Sequence, residues 1–307
     1  MTQTSVALPR PGARKVWGAR DRFVYLSLLP VFVLFAVFVV LPILFSVGVS
    51  LFNYNPLGRN PPFVGLRNYA AAFIDPVFLK SLGNTLYFVS VSVAANIVIA
   101  TLVALALDHV GRRGVKDLFR TLAFLPTTAN IAAVAIVWGF MLDPDFGIVA
   151  AVLARVGVHA RLSWFGNPSL VLPSIIAFNL WQDIGYNIVI LLAGLQAIPR
   201  TFYENAVMDG AGRWRVFGSI TLPLLSRTMT FVSVMTVISY FQVFTPVMVL
   251  TRGNPDHASE LFGVTIYLNA FQYAKMGYAS ALAVLLMILM MVLSLAQMRL
   301  ARADWEY

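Results

Sequence analysis

The chain has 307 residues, of which 59% are hydrophobic and only 11% charged, under half the charged share of an ordinary soluble domain, so a water-soluble fold is excluded and a mean hydropathy of +0.80 points to a bilayer. There is no cysteine, which removes disulfides and thiolate metal sites. The net charge of +9 is spread over the flanks of apolar runs, a pattern that fits a lipid bilayer and argues against nucleic acid as a partner.

A helix crosses roughly 30 Å of hydrocarbon with about 20 mainly apolar residues. In chain order, residues 1–24 form a basic tail carrying Arg10, Arg14, Lys15, Arg20 and Arg22. A first span follows at 25–51. It is too long for a signal-peptide core, no small-residue cleavage pattern follows it, and it is read as retained. FVGLRNYAAAF at 63–73 predicts a short interfacial helix with an apolar face. The second span is 85–107. A basic loop with Arg112, Arg113, Lys116 and Arg120 leads into the third, 118–142. The loop at 143–172 opens on the turn-formers Asp143, Pro144, Asp145 and Gly147. The fourth span is 173–198 and the fifth 229–251. Arg252-Gly-Asn-Pro255 starts another turn, and the sixth span, 279–300, leads to a tail at 301–307.

These are continuous apolar runs, not alternating ten-residue strands, so the fold class is an all-α integral membrane protein with six transmembrane helices. Residues 25–300 form one permease-sized bundle between the two tails. Of the 22 Lys and Arg, seven (Arg59, Arg67, Lys80, Arg155, Arg161, Arg252, Lys275) fall on one side and the rest on the other. Excess Lys and Arg mark the cytoplasmic side. Both termini and the segment between the fourth and fifth spans are therefore expected inside the cell, with the protein multi-pass in the cell membrane.

That segment, YENAVMDGAGRWRVFGSITLPLL at 203–225, is polar and Gly-rich. Pro199 breaks the fourth helix. Thr201 and Glu204 predict a T-x-x-E capping box opening a new helix. Tyr203, Val207 and Ala211 form an apolar stripe, and Ala206 and Gly210 a small-residue face open to close approach. Residues 213–220 predict a second short helix with Trp214 and Phe217 on one side, ended by Pro223 ahead of the fifth span. Two short helices around a Gly corner, 199–224, make a projecting knob.

Glu204-Asn-Ala206, Asp209-Gly210-Ala211 and then Ile220-Thr-Leu222-Pro223 resemble the EAA loop of ABC-importer permeases, with Asn205 where that family often has Ala. FVGLRNY at 63–69, Leu125-Pro126, the run from Trp138 through Asp145-Phe-Gly147, LAGLQAIP at 192–199 and LTRGNP at 250–255 are similar to the carbohydrate branch of these permeases, maltose-type and glycerol-phosphate-type. Among its two permease types the chain looks like the first, related to the larger maltose channel subunit but without that protein's large outer domain and extra N-terminal spans. The resemblance, over roughly 25–300, implies the type I ABC importer permease fold. It implies a second permease subunit, two ATPase subunits and an extracytoplasmic solute-binding protein as partners. It also implies that Glu204, Ala206, Asp209, Gly210 and Ala211 couple this chain to the ATPase, where ATP and Mg would bind.

Polar side chains within a span are costly and should face a partner or a wet cavity. In the fourth span Asn179, Asp183 and Tyr186 fall at i, i+4 and i+7, one helix face, with Asn187 adjacent. The fifth span adds Thr236 and Tyr240 on one face and Gln242 away from it. Amide, carboxylate, hydroxyl and aromatic groups suit a sugar's hydroxyls and its flat C–H faces. The resemblance places Asn179, Asp183, Tyr186, Thr236, Tyr240 and Val243 where the maltose channel contacts its sugar. Asn179, Asp183, Tyr186, Asn187, Thr236, Tyr240 and Gln242 are therefore the expected substrate-binding residues. The other reading of these groups is that they hydrogen-bond neighbouring helices. No G-x-x-x-x-G-K-[ST] run occurs, so the chain is not expected to cradle ATP itself. His109, His159 and His257 are scattered, and no catalytic or metal cluster is visible. The expectation is a non-enzymatic transport subunit with no cofactor of its own. The alternative is an ion-coupled secondary transporter using Asp183.

Overall fold

The computed structural model describes residues 19–157 and 161–300. The tail residues 1–18 and 301–307, with Arg10, Arg14, Lys15 and Arg302, lie outside the described residues, as does His159. The chain divides into two units after Gly48.

The first unit is one long apolar rod. Helix α1 (Ala19–Phe35) runs through a π-helical turn (Ala36–Val40) into α2 (Leu41–Ser50), which carries the chain into the second unit. The turn ends with Leu41 N–H bonded to the Ala36 carbonyl, just before Pro42. Proline lacks a donor and crowds the carbonyl four residues back, and the wider turn absorbs both defects.

The regular elements of the second unit are all helices among its described residues, apart from one bridge between Phe52 and Phe63. Its elements are α3 (Arg67–Ala72), α4 (Pro76–Asp108), α5 (Arg113–Thr128), α6 (Ile131–Met141), α7 (Ile148–Arg155), α8 (Val171–Gln196), α9 (Arg200–Met208), α10 (Arg213–Val216), α11 (Leu222–Phe241), α12 (Thr245–Leu250), α13 (Phe262–Tyr267) and α14 (Met276–Leu300). Helix α4 starts earlier than hydropathy alone places it. Asp75 caps it by accepting from Val77 and Phe78 N–H, with Pro76 in the first turn. Its 33 residues reach about 50 Å, beyond the hydrocarbon thickness. The expected interfacial helix at 63–73 shortens to α3.

The third span is not one rod. Gly114–Thr128 and Ile131–Met141 meet at a bend of 97°. Pro126 weakens the end of α5, Ala129 is extended, and the Asn130 side chain caps α6 by accepting from Ala132 and Ala133 N–H. Apolar content fixed the length of this segment and said nothing of its direction. Five described helices are long and apolar enough to span, or six if the bent pair counts as one span.

Helices α4, α8, α11 and α14 make the body, with α5 laid on α8. Gly185 allows that approach: a Cβ there would lie 1.9 Å from the Ala123 carbonyl oxygen. Buried apolar residues form two cores. One gathers Phe78, Phe88, Ile175, Val237, Phe241, Phe262 and Leu282. The other gathers Ala100, Ala104, Leu107, Leu191, Leu195, Leu225 and Val232. Along α4, α8 and α11 the sequence passes from one core to the other through Asn96, Asn187 and Thr236, so a polar layer separates the two.

The knob departs from the sequence reading in two ways. Pro199, not Thr201, precedes α9, which begins at Arg200 without a side-chain cap. The capping box does not form, because the extended ψ of 132° at Pro199 lets the helix begin early and leaves Thr201 inside its first turn, not ahead of it. Nor does Pro223 end the second knob helix. Helix α10 passes through a π-helical turn (Phe217–Thr221) straight into α11, with Leu222 N–H on the Phe217 carbonyl. As at Pro42, the wide turn accommodates the proline.

Candidate functional site

The polar layer can be built from one backbone carbonyl. Thr236 on α11 donates its hydroxyl to Val232 O (2.7 Å) and accepts from Asn187 Nδ2 on α8 (2.9 Å). Asn187 Nδ2 also donates to Asn96 Oδ1 on α4 (2.7 Å), and Asn96 Nδ2 donates to Tyr240 Oη (2.7 Å). All four residues are buried, Asn96 completely. Three helices are thus clasped at mid-height by groups whose separation would leave unpaired polar atoms away from water.

Beside the clasp opens a cavity of about 210 Å³. Thr127, Asp183, Tyr186, Asn187, Met235, Thr236, Ser239 and Tyr240 line it. It unites five of the seven expected solute residues. Asn179 is 1% exposed and stands behind the wall, donating from Nδ2 to Asp183 Oδ2 (3.2 Å). Gln242 lies past the end of α11, exposed, with Nε2 4.0 Å from Met290 Sδ. It belongs to the turn between α11 and α12, not to the cavity. Thr127 and Met235 were missed. Thr127 comes from the α5 end next to Pro126, where its hydroxyl donates to Gln182 O (2.8 Å). Asn96 was missed too, although it is the lone amide in a long apolar run.

In the knob, Gly210 N–H bonds Val207 O (3.0 Å) and Ala211 N–H bonds Ala206 O (2.9 Å). This pair of bonds is a Schellman motif with Asp209 as the helix cap. Gly210 has φ +71° and open space around its absent Cβ, so backbone conformation, not crowding, calls for glycine. Ala206 is 8% exposed and faces inward, so the small-residue face expected of Ala206 and Gly210 is split. Glu204 and Asp209 are exposed. Beside them stand Val207 (70% exposed), Met208 (80%) and Trp214 (87%), apolar groups held out by a rigid corner. Under the knob lies a cleft of about 1050 Å³ reaching the end of α4 and the start of α5. Tyr203, Val207 and Ala211, the predicted stripe, line it.

Residues 96–303, which hold the clasp, the cavity and the knob, match the family described as the binding-protein-dependent transport system inner membrane component. The chain belongs to this family. As a member it is a multi-pass inner-membrane component of an ABC importer, not an ion-coupled carrier. It is 34% identical to the probable ABC transporter permease protein YurN of Bacillus subtilis over 284 residues, covering 92% of this chain and 97% of that one. It is 31% identical to the sn-glycerol-3-phosphate transport system permease protein UgpA of Yersinia enterocolitica, covering 97% and 98%. A bacterial ABC transporter involved in import of the acidic polysaccharide alginate contains a chain of the same fold, with TM-score 0.81, 25% identity and coverage of 94% and 97%. A second structure of an alginate ABC transporter, in complex with an alginate pentasaccharide-bound periplasmic protein, superposes with TM-score 0.83 at 24% identity. These relatives each cover more than nine-tenths of the chain, whereas the family match begins at residue 96.

Proposed function

We propose that this permease conducts a sugar or sugar-like solute past the cavity between α5, α8 and α11, driven by ATP hydrolysed elsewhere. The observation that carries the reading is the pairing of a polar cavity at the level of the clasp with an exposed apolar knob. The solute meets Asp183, Tyr186, Asn187, Thr236 and Tyr240. Asn179 holds the carboxylate of Asp183 from behind. A second permease completes the passage, and an extracytoplasmic binding protein delivers the solute. Both termini and the knob lie in the cytoplasm, where two ATPase subunits bind ATP and Mg. One ATPase receives Val207, Met208 and Trp214 in a cleft, with Glu204, Asp209, Gly210 and Ala211 shaping the corner that carries them. Because α10 runs through the π turn into α11, a pull on the knob moves a cavity-lining helix directly. The chain itself performs no hydrolysis.

The test is Gly210→Asp in the reconstituted transporter. Aspartate bears φ +71° with little strain, but its carboxylate stands at the C-terminal end of α9, against the helix dipole, and puts charge and bulk on the exposed corner that the ATPase would receive. Solute-stimulated ATPase activity is expected to be lost while the chain still inserts and copurifies with its sister permease. Normal stimulation refutes the coupling role.

A further inference from the structure

The clasp does more than join helices: it dictates which hydrogen-bonding groups the cavity presents. A carbonyl only accepts, so Val232 O takes the Thr236 hydroxyl proton, and Thr236 must then accept from Asn187 Nδ2. That amide spends its other proton on Asn96 Oδ1, since an amide nitrogen has two. Asn187 is left with only Oδ1 for the cavity. Asn96, its oxygen engaged, turns Nδ2 to Tyr240 Oη, so the phenol accepts there and keeps its own proton to donate. On the opposite wall Thr127 spends its proton on the Gln182 carbonyl and shows only lone pairs. The Asp183 carboxyl adds further oxygen, with Asn179 already on Oδ2. The wall is therefore rich in acceptors, with the hydroxyls of Tyr186 and Ser239 able to act either way, and among the described residues no Lys, Arg or His lines the cavity.

We propose that Asn96, a positioning residue outside the cavity, fixes this polarity, and that the cavity takes the neutral hydroxyl array of a polyol or sugar unit and rejects phosphate and carboxylate groups. Hydroxyls donate to Asn187 Oδ1, Thr127, Thr236 and Asp183 and accept from Tyr240. A phosphate or uronate would bring more acceptors against acceptors, with no cation to offset its charge. The inference rests on the transport reading and names its solute class. It sets this permease apart from relatives whose names specify glycerol 3-phosphate or an acidic polysaccharide.

The absence of native cysteine permits a direct test. Ser239 is exposed on the cavity wall, and Ser239→Cys in the full transporter, in vesicles, reports solute through the rate of alkylation by a hydrophilic maleimide. Glucose or glycerol is expected to slow labelling, while glucuronate and glycerol 3-phosphate at equal concentration leave it unchanged. Equal or better protection by the anions overturns the proposal. So does better protection by glucosamine, which would signal a cation site, and so does protection by none of the probes. Adding Asn96→Asp keeps the size but removes the donor to Tyr240. Its labelling without solute should stay the same, and protection by glucose should weaken roughly tenfold, the worth of about one hydrogen bond. Unaltered protection overturns the role of Asn96. ATP-dependent uptake in the same vesicles is scored separately. Uptake without protection discards the polarity argument alone, and no uptake of any delivered solute strikes the transport reading.

Discussion

Two glycines on α8 show how much a single hydrogen decides. At Gly185 an added Cβ meets the main chain of α5, 1.9 Å from Ala123 O and 2.6 Å from its carbonyl carbon. Backbone cannot rotate away, so Gly185→Ala must push α5 off α8, an overpacking cost of about 1–3 kcal/mol. At Gly194 the obstacle is the Thr228 side chain, 2.7 Å to Oγ1, 2.9 Å to Cγ2 and 3.0 Å to Cβ; a rotamer change moves the first two and leaves the milder Cβ contact. Gly185→Ala should therefore lower the detergent unfolding midpoint clearly more than Gly194→Ala. It should also widen the cavity on that side, because Thr127 and Asp183 sit on those two helices. Equal midpoints for the two variants would show that α5 floats on α8 and does not lock to it.

The elements that hydropathy could not place are those where a proline or an amide cap redirects the chain. Apolar runs identify the membrane rods because burial in lipid needs only composition. They are silent on the bend between α5 and α6, which depends on Pro126 and on where the Asn130 side chain points. They are silent too on whether Pro223 stops a helix or is bridged. In the site, the period of α8 and α11 made Asp183, Tyr186, Thr236 and Tyr240 legible as facing groups. Asn179 has the right phase but points one step behind them, and Gln242 lies past the helix end, where periodicity no longer applies. Asn96 and Thr127 were not legible, because their partners are chosen by tertiary packing between distant segments. The π turn ahead of Pro223 carries its own consequence. Pro223→Ala restores a backbone donor and removes the ring, so Phe217–Thr221 can relax to an ordinary α turn. One residue fewer in the wide turn rotates the knob by about 100° relative to α11. Solute-stimulated ATPase activity should fall severalfold, with helix content by circular dichroism and alkylation of Ser239→Cys in the cavity both unchanged.

Across the whole second unit, two apolar cores separated by a polar layer trade stability for a wet centre. An apolar layer would pack as well, so the cost of the present arrangement lies in keeping every group paired. This makes single and double replacements diverge. Asn187→Leu leaves Asn96 Oδ1 and Thr236 without their donor and should destabilise by about 1–3 kcal/mol, the cost of orphaned buried groups. Replacing Asn96 and Asn187 together with Leu removes both halves of one bond. It should cost clearly less than the sum of the two single changes, a coupling that a double-mutant cycle of unfolding midpoints measures. Tyr240 then loses its donor and Asp183 faces a greasier wall, so ATP-driven uptake should still fail in the double variant. A transporter that regains stability yet not transport would show that the layer is kept for the solute. Strict additivity would mean that the three helices are not clasped through these side chains at all.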